Sequence, residues 1–239
     1  MLFKKTIYLM FLITSIIQYF AFTNFTEIFL VPLKNRYELK KSYEYYKVFH
    51  NVMMSLISTY MFLYGFKVYY DVKEITKSDS IYENIYSPVK IQTQSFNKLQ
   101  PIILCSKYLE WIDTALIILD NKKPGLLHKF HHANIVGGFY YGSYTSSYFI
   151  TGFLNSFVHI IMYLYYSKII SWFDKRYAKY ITQIQIIQLG LINILSAKGM
   201  IIPNDSYDFY VTIYIEICVF INLCLFINYY KNRYLLSKP

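Results

Sequence analysis

The chain has 239 residues, of which 55% are hydrophobic, 21% aromatic and only 16% charged. About a quarter of the residues of ordinary soluble domains are charged, so this composition excludes that class and favours a membrane protein. The formal net charge of +10 arises from basic residues that cluster in short stretches between apolar runs. That pattern is typical of cytosolic membrane loops rather than of a nucleic-acid surface, so we expect a lipid bilayer and no nucleic acid as partner.

Seven apolar stretches are long enough to cross a bilayer as helices, because a span needs roughly 20 mostly apolar residues. They lie at about 6–29, 48–69, 98–119, 126–147, 148–167, 181–200 and 209–229. The sequence therefore predicts an all-α, polytopic membrane protein with a single integral-membrane domain over residues 1–239. The first stretch follows Lys4 and Lys5 without a clear small-residue cleavage site, so we expect a retained membrane helix rather than a signal peptide.

The charges in the loops predict the orientation of the chain in the membrane. Lysine and arginine are concentrated at 34–47, 122–123, 168–179 and in the tail after 230. The alternate loops, 70–96 and the loop around Asp205 and Asp208, carry mixed or acidic charge. Because basic loops face the cytosol, the N-terminus is predicted to be luminal and the C-terminus cytosolic.

Four polar motifs interrupt the apolar stretches, and in this orientation all of them fall towards the cytosolic side. They are Lys107/Glu110/Asp113/Thr114; His128/His131/His132; Asn155 and His159 with Met162, Tyr163, Tyr165 and Tyr166; and Thr182/Gln185/Gln188. A charge in the bilayer core costs ~2.5–3.5 kcal/mol on insertion scales, so these charged groups require partners or a wet cavity. Ionisable residues at such depth indicate a functional site by default.

The histidine box, His128/His131/His132, carries most of the chemical information. On a helix, His128 shares a face with His131 and His132, and imidazoles act as nucleophiles, bases or metal ligands. A diiron lipid desaturase or hydroxylase would need further histidine boxes, whereas only His50 and His159 lie outside this one. The spacing leaves open a mononuclear zinc site, which needs three or four ligands. A non-enzymatic seven-helix transporter or receptor is the other alternative.

Together the four motifs, KxxExxDT, HxxHH, HxxMYxYY and TxxQxxQ in this order, resemble the fatty-acid elongase (ELO) family over roughly residues 34–230. The resemblance implies seven helices that enclose an acyl-chain tunnel in the endoplasmic-reticulum membrane. It implies an acyltransferase, a very-long-chain 3-oxoacyl-CoA synthase, which condenses a long-chain acyl-CoA with malonyl-CoA to 3-oxoacyl-CoA, CoA and carbon dioxide. Both thioesters are substrates, so neither a cofactor nor a metal is expected. A 3-oxoacyl-CoA reductase, a dehydratase and an enoyl-CoA reductase are the expected partners.

The resemblance also implies roles for the catalytic residues. His131 is expected to be the nucleophile that forms an acyl-imidazole, and the positive end of its helix would favour the neutral ring. His159 with Asn155 would polarise the malonyl thioester and stabilise its enolate. His128 and His132, with the two acidic residues of the first motif, would orient the imidazoles. A single-step condensation, in which a histidine acts only as a base, is the alternative mechanism.

The remaining motif residues are expected to bind substrate. They are Lys107, Glu110, Asp113, Thr114, Tyr163, Tyr166, Thr182, Gln185 and Gln188. Among them, Lys107, Gln185 and Gln188 would line the CoA end of the site. The segment from Phe139 to Leu154 is the candidate for the far end of the tunnel, where bulky side chains would set the accepted chain length.

Overall fold

A computed structural model describes residues 2–36, 40–143, 145, 147–199 and 206–236. This part of the chain is helical and contains no strand, in agreement with the predicted all-α class. The loop residue Asp205 lies outside the described residues, so the predicted luminal position of that loop stays a prediction.

The described residues form eleven α-helices. These are α1 (Leu2–Phe25), α2 (Val31–Arg36), α3 (Lys40–Thr76), α4 (Ile81–Tyr86), α5 (Pro88–Ile91), α6 (Gln94–Leu109), α7 (Trp111–Leu119), α8 (Leu126–Gly142), α9 (Tyr148–Ser167), α10 (Ala178–Gly199) and α11 (Ser206–Tyr230). Two π-helical turns, Thr26–Leu30 and Lys231–Leu235, and a 3₁₀ turn, Lys175–Tyr177, extend them.

Each predicted span overlaps at least one of these helices, and three of the spans differ from the prediction in how the helix runs. The second span is part of a much longer helix, α3, and the fourth ends at Gly142 instead of near residue 147. The third is broken into α6 and α7 at Glu110. Four helical stretches are long and apolar enough to cross a membrane: Ile13–Asn35, Tyr148–Ser167, Lys175–Lys198 and Ile213–Leu235. By length and composition the described chain is thus a multi-pass membrane protein.

The helix ends next to the polar motifs have local causes. The Thr93 side chain accepts a hydrogen bond from the backbone N–H of Phe96 at 3.1 Å and thereby caps the first turn of α6. Gly125 is extended and follows Pro124, so that α8 begins at Leu126 and places the histidine box in its first turns. Lys168 adopts a left-handed conformation (φ 55°) and ends α9. These ends fix where each motif lies along its helix.

Six of the long helices pack as a closed ring. Following neighbour to neighbour, α3 packs on α9, α9 on α10, α10 on α11, α11 on α8, α8 on α6, and α6 back on α3. Helix α1 lies outside this ring against α8 and α7. Apart from Asp113 and Thr114, which lie on α7, the motif residues within helices therefore belong to helices of this ring.

Small residues allow α3, α6 and α9 to approach one another closely. A Cβ added at Gly65 of α3 would lie 2.6 Å from Cδ2 of Phe153, and one added at Gly152 of α9 would lie 3.0 Å from Cδ1 of Ile103. Close backbone approach at small residues is the usual way in which membrane helices gain packing energy. The buried core, which includes Phe96, Trp111, Val136 and Phe149, lies beside these contacts.

The first turns of α3 are joined to the end of α7 by polar contacts around Asp120. The Tyr43 hydroxyl donates to Asp120 Oδ1 at 2.8 Å, and Lys47 Nζ donates to the same oxygen at 3.1 Å. Burial alone would raise the pKa of the Asp120 carboxyl, but the hydrogen bonds from Tyr43 and Lys47 and the charges of Lys47 and Lys122 outweigh it. The pKa of Asp120 therefore lies below its ordinary value.

Candidate active site

A buried acid and a buried lysine lie at the centre of the ring. Lys107 Nζ donates to Glu110 Oε1 at 2.6 Å and also to Asn155 Oδ1 of α9. The side chains of Lys107 and Glu110 are only 1% and 2% exposed. The same Glu110 oxygen lies 3.2 Å from Nδ1 of His159. Because burying an unpaired charge is costly, this mutual pairing is what allows both groups to lie in the interior.

These contacts assign the protons on His159. Since the Glu110 carboxylate can only accept, Nδ1 of His159 carries the hydrogen in this pair. Nε2 then holds the lone pair and accepts from Asn155 Nδ2 at 3.2 Å. In this state Asn155, rather than His159, is the donor available for a substrate carbonyl.

The second acid of the first motif belongs to a separate network. His50 Nε2 lies 2.8 Å from Asp113 Oδ1, and the Tyr163 hydroxyl donates to Asp113 Oδ2 at 2.6 Å. This network joins α3, α7 and α9. In the sequence His50 lies outside the histidine box, and its pairing with Asp113 could not be read from the spacing. Glu110 therefore pairs with His159 and Asp113 with His50.

The histidine box makes contacts of its own. His128 Nε2 lies 3.0 Å from Thr114 Oγ1, and its ring stacks on that of His132 with centroids 4.0 Å apart. The indole N–H of Trp111 donates to the backbone carbonyl of His132 at 2.9 Å. His132 is buried and meets the ring of His131 edge-on at 5.4 Å. His128 and His132 thus hold the N-terminal turns of α8 against α7 and beside the ring of His131.

Several predicted substrate-binding residues lie apart from these networks. The hydroxyl of Thr182 donates to Ala178 O on its own helix, and Gln185 Nε2 contacts Met162 Sδ at 3.4 Å. Tyr166 is 54% exposed, in contrast to the buried Tyr163. Lys107 is fully enclosed, so the structure does not place it at an open CoA end as the sequence suggested.

A cavity lies between α8, α9, α10 and α11, with about 710 Å³ of non-atom space including its open part. His131, Asn155 and Gln188 line one part of it, and Gly142, Ser147 and Tyr148 line another. The intervening wall is largely apolar. Its further lining residues include Ile135, Phe139, Leu189, Ile192, Ile215 and Val219. An apolar cavity with a few polar groups at one place is the usual form of a small-molecule site.

Among the three box histidines, His131 alone lines this cavity in the described structure. Asn155, which accepts from Lys107 and donates to His159, lines the same cavity. Two further cavity residues, Cys218 and Asn222, lie on α11 and belong to none of the four motifs. Cys218 and Asn222 are four residues apart on α11 and therefore share one face of the helix. The sequence alone does not show that this face borders the cavity.

Histidine and acidic side chains are the groups of this site that could bind a metal ion. Within the described residues, no group of three or more His, Cys, Asp or Glu side chains is arranged to hold a metal ion. The motif histidines instead bond to Glu110 and Thr114 or stack on one another. The donor set therefore does not fit the diiron alternative, which needs several such groups.

The fold and the site define a helical, multi-pass membrane protein with a buried acid–lysine–histidine network next to an apolar cavity. The chain belongs to the ELO (GNS1/SUR4) family, whose sequence model matches residues 5–239.

Curated relatives carry elongase names. The chain is 28% identical over 200 residues to a putative fatty acid elongase of Dictyostelium discoideum, covering 79% of this chain and 64% of that protein. It is 32% identical over 93 residues to fatty acid elongase 2 of Trypanosoma cruzi, covering 37% of this chain and 33% of that protein. It is 32% identical over 126 residues to the human very long chain fatty acid elongase 1, covering 48% and 44%. The matches thus span less than two thirds of the length of these relatives. No solved structure matches the chain significantly.

Proposed function

We propose that this protein is a fatty acid elongase of the 3-oxoacyl-CoA synthase type. It condenses an acyl-CoA with malonyl-CoA and releases CoA and carbon dioxide. It crosses the endoplasmic-reticulum membrane seven times, with α1, α3, α6–α7, α8, α9, α10 and α11 as spans, a luminal N-terminus and a cytosolic C-terminus. A 3-oxoacyl-CoA reductase, a dehydratase and an enoyl-CoA reductase would complete the cycle.

The observation that carries this proposal is the position of His131. Its imidazole lines an apolar cavity suited to an alkyl chain, and Asn155, which belongs to the acid–lysine–histidine network, lines the same cavity. A transporter or receptor would not need a nucleophile at this place. The names of the relatives support the same reaction class.

In the first step, a ring nitrogen of His131 attacks the thioester carbonyl of the acyl-CoA. The carbon–sulfur bond breaks, the ring proton passes to the leaving thiolate, and CoA leaves as the thiol. The acyl group stays on His131 as an acyl-imidazole with its chain in the cavity. His128 and His132 act as positioning residues, because they hold the turn of α8 that carries His131.

In the second step, malonyl-CoA binds and loses carbon dioxide, which leaves an enolate. The amide of Asn155 donates to the thioester oxygen as negative charge develops there. Lys107 holds the Asn155 oxygen, so the amide is oriented before the substrate arrives. The enolate carbon then attacks the acyl carbon, the bond to His131 breaks, and the ring regains a proton from solvent. The product is 3-oxoacyl-CoA.

The proposal is tested with purified full-length protein in detergent. Labelled malonyl-CoA and a series of acyl-CoAs should give a labelled 3-oxoacyl product. With acyl-CoA alone, intact mass spectrometry should detect one added acyl group that neutral hydrolysis removes. Both signals should disappear in His131→Ala. A His131→Ala variant that still condenses would refute the nucleophile assignment. A wild-type protein that condenses without acquiring the acyl mass would favour the single-step mechanism.

Cysteine variants provide the matched controls, because soluble condensing enzymes use a thiol nucleophile. Cys218 lines the same cavity as His131, whereas Cys105 is exposed elsewhere. Cys105→Ala should condense normally, and Cys218→Ala should still acquire the acyl mass. If the adduct persists in His131→Ala and disappears in Cys218→Ala, the covalent step belongs to the thiol.

A further inference from the structure

One face of α8 forms a continuous wall of the cavity. The residues that line it recur at helical spacing: His131, Asn134, Ile135, Gly138, Phe139 and Gly142. They fall at positions i, i+3, i+4, i+7, i+8 and i+11, so they share one face. The wall starts at the candidate nucleophile and runs to the last residue of α8, Gly142. Two of its members are glycines, which is unusual in a helix interior because glycine lowers helix stability.

The two glycines have different surroundings. A Cβ added at Gly138 would meet no atom within 4 Å, so the space in front of it is open. A Cβ added at Gly142 would touch Cδ1 of Ile215 at 3.4 Å and Cδ2 of Tyr148 at 3.5 Å. Gly138 therefore borders the passage, and Gly142 lies where the side chains of Ile215 and Tyr148 come together.

We propose that Gly138 is the residue that admits long acyl chains, and that the wall from His131 to Gly142 sets their length. This inference rests on the proposed elongase function. The wall is about 16 Å long at 1.5 Å per residue. An extended alkyl chain with C–C bonds near 1.5 Å advances roughly 1.25 Å per carbon. About 13 carbons therefore fit, which identifies saturated acyl-CoAs of about 12 to 14 carbons as the preferred substrates.

A larger side chain at Gly138 is expected to shorten the passage without disturbing the fold. Gly138 lies seven residues, two turns, below His131, at an axial distance of about 10 Å. A leucine there would occupy the open space and leave room for about eight carbons. The substitution also removes a glycine from a helix interior, which favours the helical state. Loss of long-chain activity would therefore not result from a weakened helix.

The matched control is Gly190 on α10. A Cβ added there also meets no atom within 4 Å, but Gly190 does not line the cavity. Gly190→Leu makes the same chemical change outside the passage. The wild type, Gly138→Ala, Gly138→Leu and Gly190→Leu are compared with even-numbered acyl-CoAs from 8 to 18 carbons, and the labelled 3-oxoacyl product is measured for each.

The wild type and Gly190→Leu should give most product near 12 to 14 carbons. Gly138→Leu should retain activity at eight carbons and lose at least about tenfold at 14, since each methylene buried in the passage is worth roughly fourfold in binding. Gly138→Ala should fall between them. An unchanged length profile in Gly138→Leu would overturn the inference, and so would a wild-type optimum at 18 carbons.

A binding measurement separates this inference from the proposed function. Thioether analogues of acyl-CoA cannot transfer their acyl group, and native mass spectrometry reports their affinity directly. If the wild type condenses no acyl-CoA, the proposed function fails. In that case the inference about the passage can still be tested by binding. It predicts that Gly138→Leu binds the 14-carbon analogue about tenfold more weakly than Gly190→Leu does. Equal affinities in the two variants would refute it.

Discussion

Replacing Glu110 by glutamine leaves the ammonium of Lys107 in the interior without its acidic partner. Lys107 would keep the Asn155 oxygen, the face of the Phe139 ring, 4.6 Å from Nζ, and the neutral amide oxygen of the new glutamine as an acceptor. Removing one member of a buried ion pair costs about 3–5 kcal/mol, because the other charge stays uncompensated. Because Lys107 retains these other contacts, we expect Glu110→Gln to lower the free energy of unfolding by about 3 kcal/mol, the lower end of that range.

The variant Lys107→Met and the double variant Lys107→Met/Glu110→Gln complete a double-mutant cycle. Lys107→Met leaves Glu110 with the hydrogen bond from His159 Nδ1, so the expected loss is about 2 kcal/mol. The double variant has neither charge, and the neutral amide can still bond to His159. We expect it to lose only about 1–2 kcal/mol, which makes the coupling between Lys107 and Glu110 about 3–4 kcal/mol.

Thermal unfolding of the four proteins in one detergent measures this coupling. At about 2–4 °C per kcal/mol for a chain of this size, Glu110→Gln should lower Tm by about 6–12 °C, and the double variant should recover part of that loss. The exposed pair Lys67–Asp71, 3.1 Å apart on α3, is the control, and its coupling should stay below about 0.5 kcal/mol. Additive losses in the Lys107–Glu110 cycle would refute the buried-pair reasoning.

Two further predictions concern stability. Gly65→Ala should destabilise the protein by about 1–3 kcal/mol, because the new methyl group would overlap the ring of Phe153, whereas Gly190→Ala should not lower Tm. Asp120→Asn should lower Tm at pH 7, because the folded carboxylate has a lowered pKa and its contribution is fully present above the unfolded pKa near ~4. The Tm difference should shrink as the pH falls below about 4; an equal difference at pH 7 and pH 3 would contradict this account.

The helices were readable from the sequence because their signal is local. Apolar runs of the required length predicted every long helix, and 148–167 coincides with α9. The break at Glu110 was not predicted, since the run 98–119 has no glycine and its single proline, Pro101, lies well before the break. The extension of α3 to Thr76 was also missed, because its polar last turns carry no hydropathy signal.

The members of the site could be recognised from the motifs, but their partners could not. Spacing within a helix relates Lys107 to Glu110, and the structure contains that pair. Contacts between helices, such as Glu110 with His159 or Asp113 with His50, depend on how the ring closes. The same limit applies to cavity residues outside the motifs, of which Gly138 is the clearest example. The roles of the motif residues stay predictions.

The uneven hydropathy of the helices bears on how such a protein enters the membrane. The four stretches apolar enough to cross a membrane do not include α3, α6–α7 or α8, which supply His50, the acid–lysine pair and the histidine box. Under the proposed topology, these three segments would be poor substrates for insertion one at a time by the translocon. They would need α9, α10 and α11 to be present, so the reactive centre would form only as biogenesis of the whole bundle is completed. A chain stalled before α9 would then expose its charged helices to cellular quality control.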